Sequence, residues 1–200
     1  MTTFLLVRHA AHALQDRAVL VGRTADVGLG ETGRATLPGL VGRLATKPAD
    51  AVLSGPLERA VATATPIAAR LGLLLQVAPE LDELDYGEWT GRSFDDLAHD
   101  SRWAAWNAYR SGHRPPGGES MLEVQARVVG LVERLRRLHP DGRVVLVSHA
   151  DVIRALVLHA LGLPLDLFLR IEVEPGSISV LQVEDWGARL LRLNDTGANP

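Results

Sequence analysis

Two apolar runs far apart along the chain share one pattern. Residues 4–7 and 144–147 are continuous apolar stretches, and each is followed by one polar residue and then a histidine, His9 or His149. Such runs are typical of strands buried on both faces of a parallel sheet. Ligands bind at the carboxyl ends of strands in open α/β sheets. We therefore expect both histidines and Arg8 to project into one crevice, where they would suit an anion, with phosphate the best candidate.

Elsewhere, helical periodicity alternates with short apolar runs. Residues 120–123 (SMLE) also have the spacing of a capping box at a helix start. Helices are expected at residues 31–44, 120–138 and 151–161, and strands at residues 3–8, 51–53 and 143–148. This alternation predicts an α/β fold, a three-layer α/β/α sandwich with a mostly parallel sheet.

A fourth helix is expected after the strand at residues 51–53. Ser54 is its candidate N-cap, and Pro56 would occupy the first turn, where proline is tolerated. Pro66 predicts a kink or an early break, and a glycine at position 72 ends the helix. Near the C-terminus, residues 168–193 hold three short β-like runs.

A loop is predicted at residues 79–92. The segment that follows this loop has the least core-like pattern of apolar residues. Residues 93–119 contain a short helical stretch around Trp103 and Trp106, followed by a Pro-Pro-Gly-Gly sequence. We interpret residues 1–200 as one domain with a small insertion at about 93–119, placed over the crevice as a lid. The two tryptophans are expected to anchor this insertion.

Composition narrows the range of functions. The 21 basic and 24 acidic side chains give a net charge of −3, which argues against bulk binding of nucleic acid or an anionic membrane. No apolar run approaches the roughly 20 residues of a membrane span, and the N-terminus lacks the pattern of a signal peptide. The absence of cysteine excludes disulfides and thiolate metal sites and accords with a cytoplasmic location. No two histidines are spaced i,i+4 with an acid beside them, as a histidine-based metal site would require, so we predict no metal and no cofactor.

Five short motifs with recognisable chemistry occur in order along the chain. They are residues 6–9 (LVRH), 54–60 (SGPLERA), 81–87 (LDELDYG), 118–120 (GES) and 147–149 (VSH). Together they resemble the motifs of the histidine phosphatase superfamily, the phosphoglycerate-mutase-like group. Five motifs in order at compatible spacing are specific where one would be weak. The resemblance implies the phosphoglycerate-mutase-like fold.

The resemblance assigns a phosphohistidine role to His9 and places three further side chains, Arg8, Arg59 and His149, around the phosphoryl group. Each arginine can donate two parallel hydrogen bonds to phosphate oxygens. Because two guanidinium groups oppose the phosphate charge, no metal is needed. Histidine can attack as the neutral imidazole while an acceptor holds its second N–H group.

The general acid is expected in the acidic loop. A positioned carboxylic acid protonates a poor leaving group and can then activate water. The residues alone do not separate Glu83 from Asp82 or Asp85, and motif alignment selects Glu83. Arg23 and Glu119 are further candidates for substrate contact. The alternatives are a surface salt bridge for Arg23 and simple helix capping for Glu119.

The chain departs from the family pattern near both histidines. Ala10 and Ala150 stand where the family usually has glycine, and Ala11-His12 replaces a Glu-Thr pair. Gln15 replaces an asparagine that often contacts phosphate, and His12 is a candidate for the pocket mouth. We expect the two alanines to meet a need for a small side chain rather than for a positive φ. These departures bear on the substrate more than on the chemistry.

We predict a metal-independent phosphomonoester hydrolase that acts on a small phosphorylated metabolite through a phosphohistidine intermediate. A phosphoglycerate-mutase-like phosphomutase would use the same pocket to pass the phosphoryl group to another hydroxyl. A catalytically silent phosphate-binding protein would keep the pocket without turnover. The physiological substrate stays open, as does the oligomeric state, for which a homodimer is one alternative.

Overall fold

A six-stranded sheet lies between two layers of helices in the computed structural model, which describes residues 1–197. The strands are β1 (Thr2–Arg8), β2 (Ala51–Ser54), β3 (Leu75–Val77), β4 (Arg143–Ser148), β5 (Ile178–Glu184) and β6 (Gly187–Asp195). The helices are α1 (Glu31–Leu44), α2 (Glu58–Leu71), α3 (Phe94–Ala98), α4 (Ser101–Ala108), α5 (Met121–Leu138) and α6 (Ala150–Ala160). Within residues 1–197, no helix has the length and apolar character needed to cross a membrane.

The strand order is β3-β2-β4-β1-β5-β6, so β1 and β4 are central neighbours. The pairings of β3 with β2, β2 with β4 and β4 with β1 are parallel, whereas β5 pairs antiparallel with both β1 and β6. The predicted mostly parallel sheet is therefore confirmed. Arg8 at the end of β1 pairs with Ser148 at the end of β4. His9 and His149 therefore occupy equivalent positions, each directly after its strand, at the same edge of the sheet.

Alternate side chains of the central strands fill two separate cores, one on each face of the sheet. Phe4 and Leu6 pack with side chains of α5 and α6, whereas Leu5 and Val7 pack with those of α1 and α2. Because both faces are covered, each position from Phe4 to Val7 in β1 is apolar. This arrangement is the predicted three-layer sandwich.

The start of α2 differs from the predicted one. Strand β2 continues through Ser54, which pairs with β4 and so is committed to the sheet. The helix N-cap is instead Leu57, without a side-chain cap, and Pro56 precedes the helix. The predicted Ser54 cap is therefore wrong. The helix is not broken at Pro66 and ends at Gly72, which adopts the left-handed conformation expected of a terminating glycine.

The segment between β3 and α5 is more structured and more buried than predicted. The expected loop contains two single-turn 3-10 helices, Pro79–Leu81 and Gly87–Trp89. Residues 93–119 contain α3 and α4, and their Leu97 and Trp106 side chains are fully buried in the core that α5 and α6 also line. The burial of Trp106 agrees with its expected anchoring role, whereas the burial of Leu97 shows closer packing than the pattern predicts. The closure of this segment over a ligand stays a prediction.

The C-terminal part forms two strands rather than three β-like runs. Residues Leu165–Arg170 form a 3-10 helix. Its Leu165 and Phe168 side chains are buried three residues apart, which is the period of a 3-10 helix. The apolar residues that suggest a strand in the sequence therefore pack along one edge of a helical turn.

Candidate active site

Two imidazoles meet at the carboxyl edge of the sheet. His9 donates its backbone N–H to the carbonyl of Ser148 at 2.9 Å, which locks the end of β1 to the end of β4. The His9 and His149 rings lie edge to face with their centroids 5.0 Å apart, and both residues are buried. His149 is also the N-cap of α6. The structure thus brings the two histidines together.

The charges of two guanidinium groups, the half-buried Arg8 and the buried Arg59, act on these rings. Arg8 donates from Nη1 to the carbonyl of Val173 at 2.6 Å, and Arg59 donates from Nη2 to the carbonyl of Gly22 at 2.5 Å. These bonds fix the side chains, yet Arg8 Nε and Arg59 Nη1 are buried without a hydrogen-bond partner among residues 1–197. A buried donor without an acceptor costs free energy. The pair is therefore suited to an anion whose oxygens accept from both.

The His9 ring is held neutral and in one tautomer. Burial lowers its pKa well below the usual range, and the positive charges of Arg59 and Arg8 lower it further. Its Nδ1 lies 2.8 Å from the carbonyl oxygen of Ala10. Because a carbonyl only accepts, Nδ1 must carry the proton. The lone pair is then on Nε2, which is the form a nucleophile requires.

Glu83 lies beside His149, in the loop that follows the 3-10 turn Pro79–Leu81. Its Oε2 is 3.5 Å from His149 Nδ1, and its Oε1 accepts the Leu84 N–H at 2.9 Å. Burial and then the negative charge of Asp151 raise the pKa of Glu83 to about 7. Burial lowers the pKa of His149 well below its usual range. Near neutral pH His149 is therefore uncharged, and a substantial fraction of the Glu83 carboxyl retains a proton to donate.

The neighbouring acids, which the sequence does not distinguish from Glu83, have other partners. Asp82 accepts the backbone N–H of Glu83 at 2.8 Å, and Asp85 accepts the backbone N–H of Gly87 at 2.9 Å. Both carboxylates therefore shape the loop locally. Among the three acids, Glu83 is the one in contact with a ring of the histidine pair.

An arginine–glutamate network holds the Glu83 loop from outside. Arg23 donates from Nε to the Glu83 carbonyl at 2.8 Å and from Nη2 to Glu119 at 3.0 Å. Arg127 of α5 bonds both oxygens of Glu119 at 2.8 and 3.0 Å and donates to the carbonyls of Glu80 and Glu83 at 2.6 and 3.2 Å. Arg23 and Glu119 are thus members of this network. Their contact with substrate stays a prediction. Sequence analysis assigns Arg127 no role.

Two predicted contact residues lie farther from the histidine pair. The ring of His12 is 5.8 Å from that of His9, centroid to centroid. Burial, Arg59 and Arg8 lower the pKa of His12 to about 4. Its Nδ1 accepts the Leu14 N–H at 3.2 Å, so a proton on the neutral ring lies on Nε2. Gln15 is exposed in a single 3-10 turn, and its phosphate contact stays a prediction.

The two alanines that replace glycines cause no backbone strain. Neither Ala10 nor Ala150 is among the residues with positive φ. The Ala10 N–H donates to the hydroxyl of Thr63 at 3.0 Å, and Ala150 is the first residue of α6. A small side chain is therefore sufficient at both positions, as expected.

Comparison with known proteins agrees with this geometry. The family model described as histidine phosphatase superfamily (branch 1) matches residues 4–196. The chain belongs to branch 1 of the histidine phosphatase superfamily. Phosphoserine phosphatase 1 of Hydrogenobacter thermophilus is 30% identical over 201 residues, covering 98% of this chain and 93% of the relative. Adenosylcobalamin/alpha-ribazole phosphatase of Salmonella typhimurium is 30% identical over 149 residues, covering 74% of each chain.

Solved structures of histidine phosphatases share the fold. A mycobacterial glucosyl-3-phosphoglycerate phosphatase, solved in complex with VO3, superposes with a TM-score of 0.87 at 26% identity, covering 96% of this chain and 99% of that one. The relatives are named as phosphatases for different substrates. The protein is accordingly a phosphomonoesterase of the histidine phosphatase type.

Proposed function

We propose that the protein hydrolyses a small phosphorylated metabolite through a phosphohistidine at His9. The observation that carries the proposal is the state of the His9 ring. It is buried and neutral, its Nδ1 proton is directed to the Ala10 carbonyl, and it feels the charges of Arg59 and Arg8, each of which has a buried N–H group without a partner among residues 1–197. Such a ring is prepared to attack a phosphorus atom whose oxygens those guanidiniums hold.

The first step forms the His9 Nε2–P bond and breaks the ester P–O bond. The proton on Glu83 passes to the leaving oxygen, so that an alcohol departs rather than an alkoxide. Arg8, Arg59 and His149 donate to the phosphoryl oxygens, where negative charge is spread during transfer. The fixed guanidiniums counter that charge without reorganisation, which supports catalysis without a metal ion.

The second step hydrolyses the phosphohistidine. The Glu83 carboxylate takes a proton from water, the water oxygen attacks phosphorus, and the P–N bond breaks to release phosphate and neutral His9. Glu83 is again protonated at the end of the cycle. The relatives described above are phosphatases, which supports transfer to water over transfer to a second hydroxyl. Their named substrates make phosphoserine, alpha-ribazole phosphate and a sugar-linked phosphoglycerate the first candidates.

The test is phosphate release with chelator present, from p-nitrophenyl phosphate and from those three candidates. We expect wild type and the surface control His99→Ala to turn over equally, and His9→Ala to lose activity by at least about 10³-fold because the nucleophile is removed. Rapid quenching should trap an acid-labile, base-stable phosphoryl label on wild type and on the control. Unchanged activity in His9→Ala, or activity abolished by chelator, would overturn the proposal.

A further inference from the structure

A buried cluster next to the site is not used by the mechanism described above. Asp151, in the first turn of α6, is two residues beyond His149 and accepts a hydrogen bond from the hydroxyl of Tyr86. Tyr86 is three residues beyond Glu83 in the same loop. One side-chain hydrogen bond therefore joins the loop that carries the acid to the helix that follows the second histidine.

Two arginines partly neutralise the Asp151 carboxylate. Arg110, which follows α4, places Nη1 3.7 Å from Oδ2, and Arg154 of α6 places Nη1 3.5 Å from Oδ1. The Arg110 guanidinium lies 3.5 Å from the ring centre of Trp106 and 4.0 Å from that of Phe168. It is only 4% exposed, and its Nε and Nη1 have no hydrogen-bond partner among residues 1–197. The arginine is thus held by stacking and charge rather than by a full set of hydrogen bonds.

Charged side chains are costly to bury, so a contribution to folding stability alone does not explain the buried Asp151 and Arg110. The carboxylate is stable here because Tyr86 donates to it and two cations face it. Burial and the negative charges of Asp151 and Glu83 raise the pKa of Tyr86 well above its usual range, so its hydroxyl remains a donor. The cluster therefore places the Asp151 carboxyl against the Glu83 loop, bonded to Tyr86 and faced by Arg110 and Arg154.

We propose that Asp151 is a positioning residue for the general acid: through Tyr86 it fastens the Glu83 loop to α6 and places a buried carboxylate against that loop. The groups that face Glu83 are Arg8 from β1, Arg59 from α2, His149 after β4, Asp151 from α6 and Tyr86 from its own loop. The two arginines favour the carboxylate and Asp151 opposes them. Without Asp151, burial alone would oppose the two cations, and Glu83 would lose its proton at a lower pH.

This inference rests on the proposed function, and variants of opposite sign test it. Asp151→Asn removes the charge and keeps an acceptor for Tyr86, so the alkaline limb of kcat/KM should move to lower pH by about 0.5–1 unit. Arg110→Met keeps an apolar contact for Trp106 and Phe168 but removes a cation near Asp151. Its alkaline limb should move to higher pH. Tyr86→Phe should lower kcat across the range with little shift of the limb.

Asp95→Asn, an exposed carboxylate of α3, is the matched control and should reproduce the wild-type profile. Coincident alkaline limbs for wild type, Asp151→Asn and Arg110→Met would overturn the inference. A carbon-13 NMR titration of the Glu83 carboxyl, assigned with Glu83→Gln, gives the same comparison without turnover. If wild type shows no hydrolysis, the proposed function fails, and the titration still decides the role of Asp151. If Asp151→Asn does not fold, Arg110→Met carries the test.

Discussion

At the scale of single residues, burial drives two ionisable groups toward the uncharged states that catalysis needs. Removal from water disfavours charge, so it lowers the pKa of a base and raises that of an acid. The proposed nucleophile, His9, is consequently neutral at a pH where the proposed acid, Glu83, still binds its proton. Local charges then refine this effect. Arg59 and Arg8 lower the pKa of His9 further, in the same direction as burial. At Glu83 the two arginines lower the pKa against the effect of burial, whereas Asp151 raises it.

The raised pKa of Glu83 predicts a stability cost at alkaline pH. A glutamate ordinarily titrates near 4.5 and Glu83 near 7, so the folded state binds the proton more tightly than the unfolded state. Stability therefore falls as pH rises from about 4.5 to 7 and stays reduced above it. We expect Glu83→Gln to raise the free energy of unfolding at pH 8 by about 1–3 kcal/mol, with little difference at pH 4.

Urea unfolding of both proteins at the two pH values measures this difference. Glu88→Gln is the matched control, because Glu88 is an exposed carboxylate in the same loop. Its effect should stay within about 0.5 kcal/mol at either pH. A Glu83→Gln protein no more stable than wild type at pH 8 would contradict the predicted burial cost.

At the scale of elements, central strands position His9, His149 and Arg8, whereas a loop positions the proposed acid. His9, His149 and Arg8 follow or end central strands whose register is fixed by both cores. Glu83 lies on a connection that lacks such support, so side chains of other elements must hold it. Arg23, Glu119 and Arg127 supply that support through the Glu83 carbonyl and its neighbours.

Removal of this support should slow the chemistry more than it weakens phosphate binding. Arg127→Met keeps the apolar stem but loses the bonds to the carbonyls of Glu80 and Glu83. We expect kcat to fall by about 10–100-fold because the acid is misplaced. The inhibition constant of vanadate should change by less than about threefold, since Arg8 and Arg59 are untouched.

Arg134→Met is the matched control on the same helix. Arg134 forms only an exposed ion pair with Glu80, at 2.7 Å, so its kcat should equal that of wild type. Melting temperatures of both variants separate a local effect from general destabilisation. Equal losses of kcat and vanadate affinity in Arg127→Met would argue for a collapsed site rather than a displaced acid.

At the scale of the whole molecule, residues 93–119 connect the site to the core. The side chains of Trp89, Trp103 and Trp106 pack edge to face or at a tilt, with ring centroids 5.2–5.6 Å apart. Gly118 is approached so closely by the carbonyl of Asp85 that a Cβ there would lie 2.3 Å from the oxygen. The segment is therefore fixed at Trp103 and Trp106 and again at Gly118. Any closure over substrate must come from the stretch between Trp106 and Gly118.

Chymotrypsin digestion tests that closure. Tyr109 is 54% exposed in this stretch, and Trp186, in the turn between β5 and β6, is 67% exposed. We expect vanadate to slow cleavage after Tyr109 by about threefold or more, because ligand binding stabilises the closed form. Cleavage after Trp186 should be unaffected and serves as the internal control. Equal slowing at both sites would indicate general stabilisation without a lid.

The sequence by itself determined the elements and the place of the site. Local periodicity marks strands and helices, and a parallel sheet gathers strand ends at one edge, so His9, His149 and Arg8 were predictable from short windows. The same windows failed at Ser54 and at residues 168–170, the start of the predicted β-like runs. There, pairing with β4 and packing against the core decide between strand and helix.

Only the tertiary structure decided how the acid is selected and tuned. The sequence leaves three carboxyl groups in one loop, and their surroundings separate them. The Tyr86–Asp151 bond spans 65 residues and the Arg23–Glu83 bond spans 60. Proton affinity depends on burial and on charges from several elements at once. No local sequence pattern encodes these combined effects, so the proton affinity of Glu83 is set only when the elements pack together.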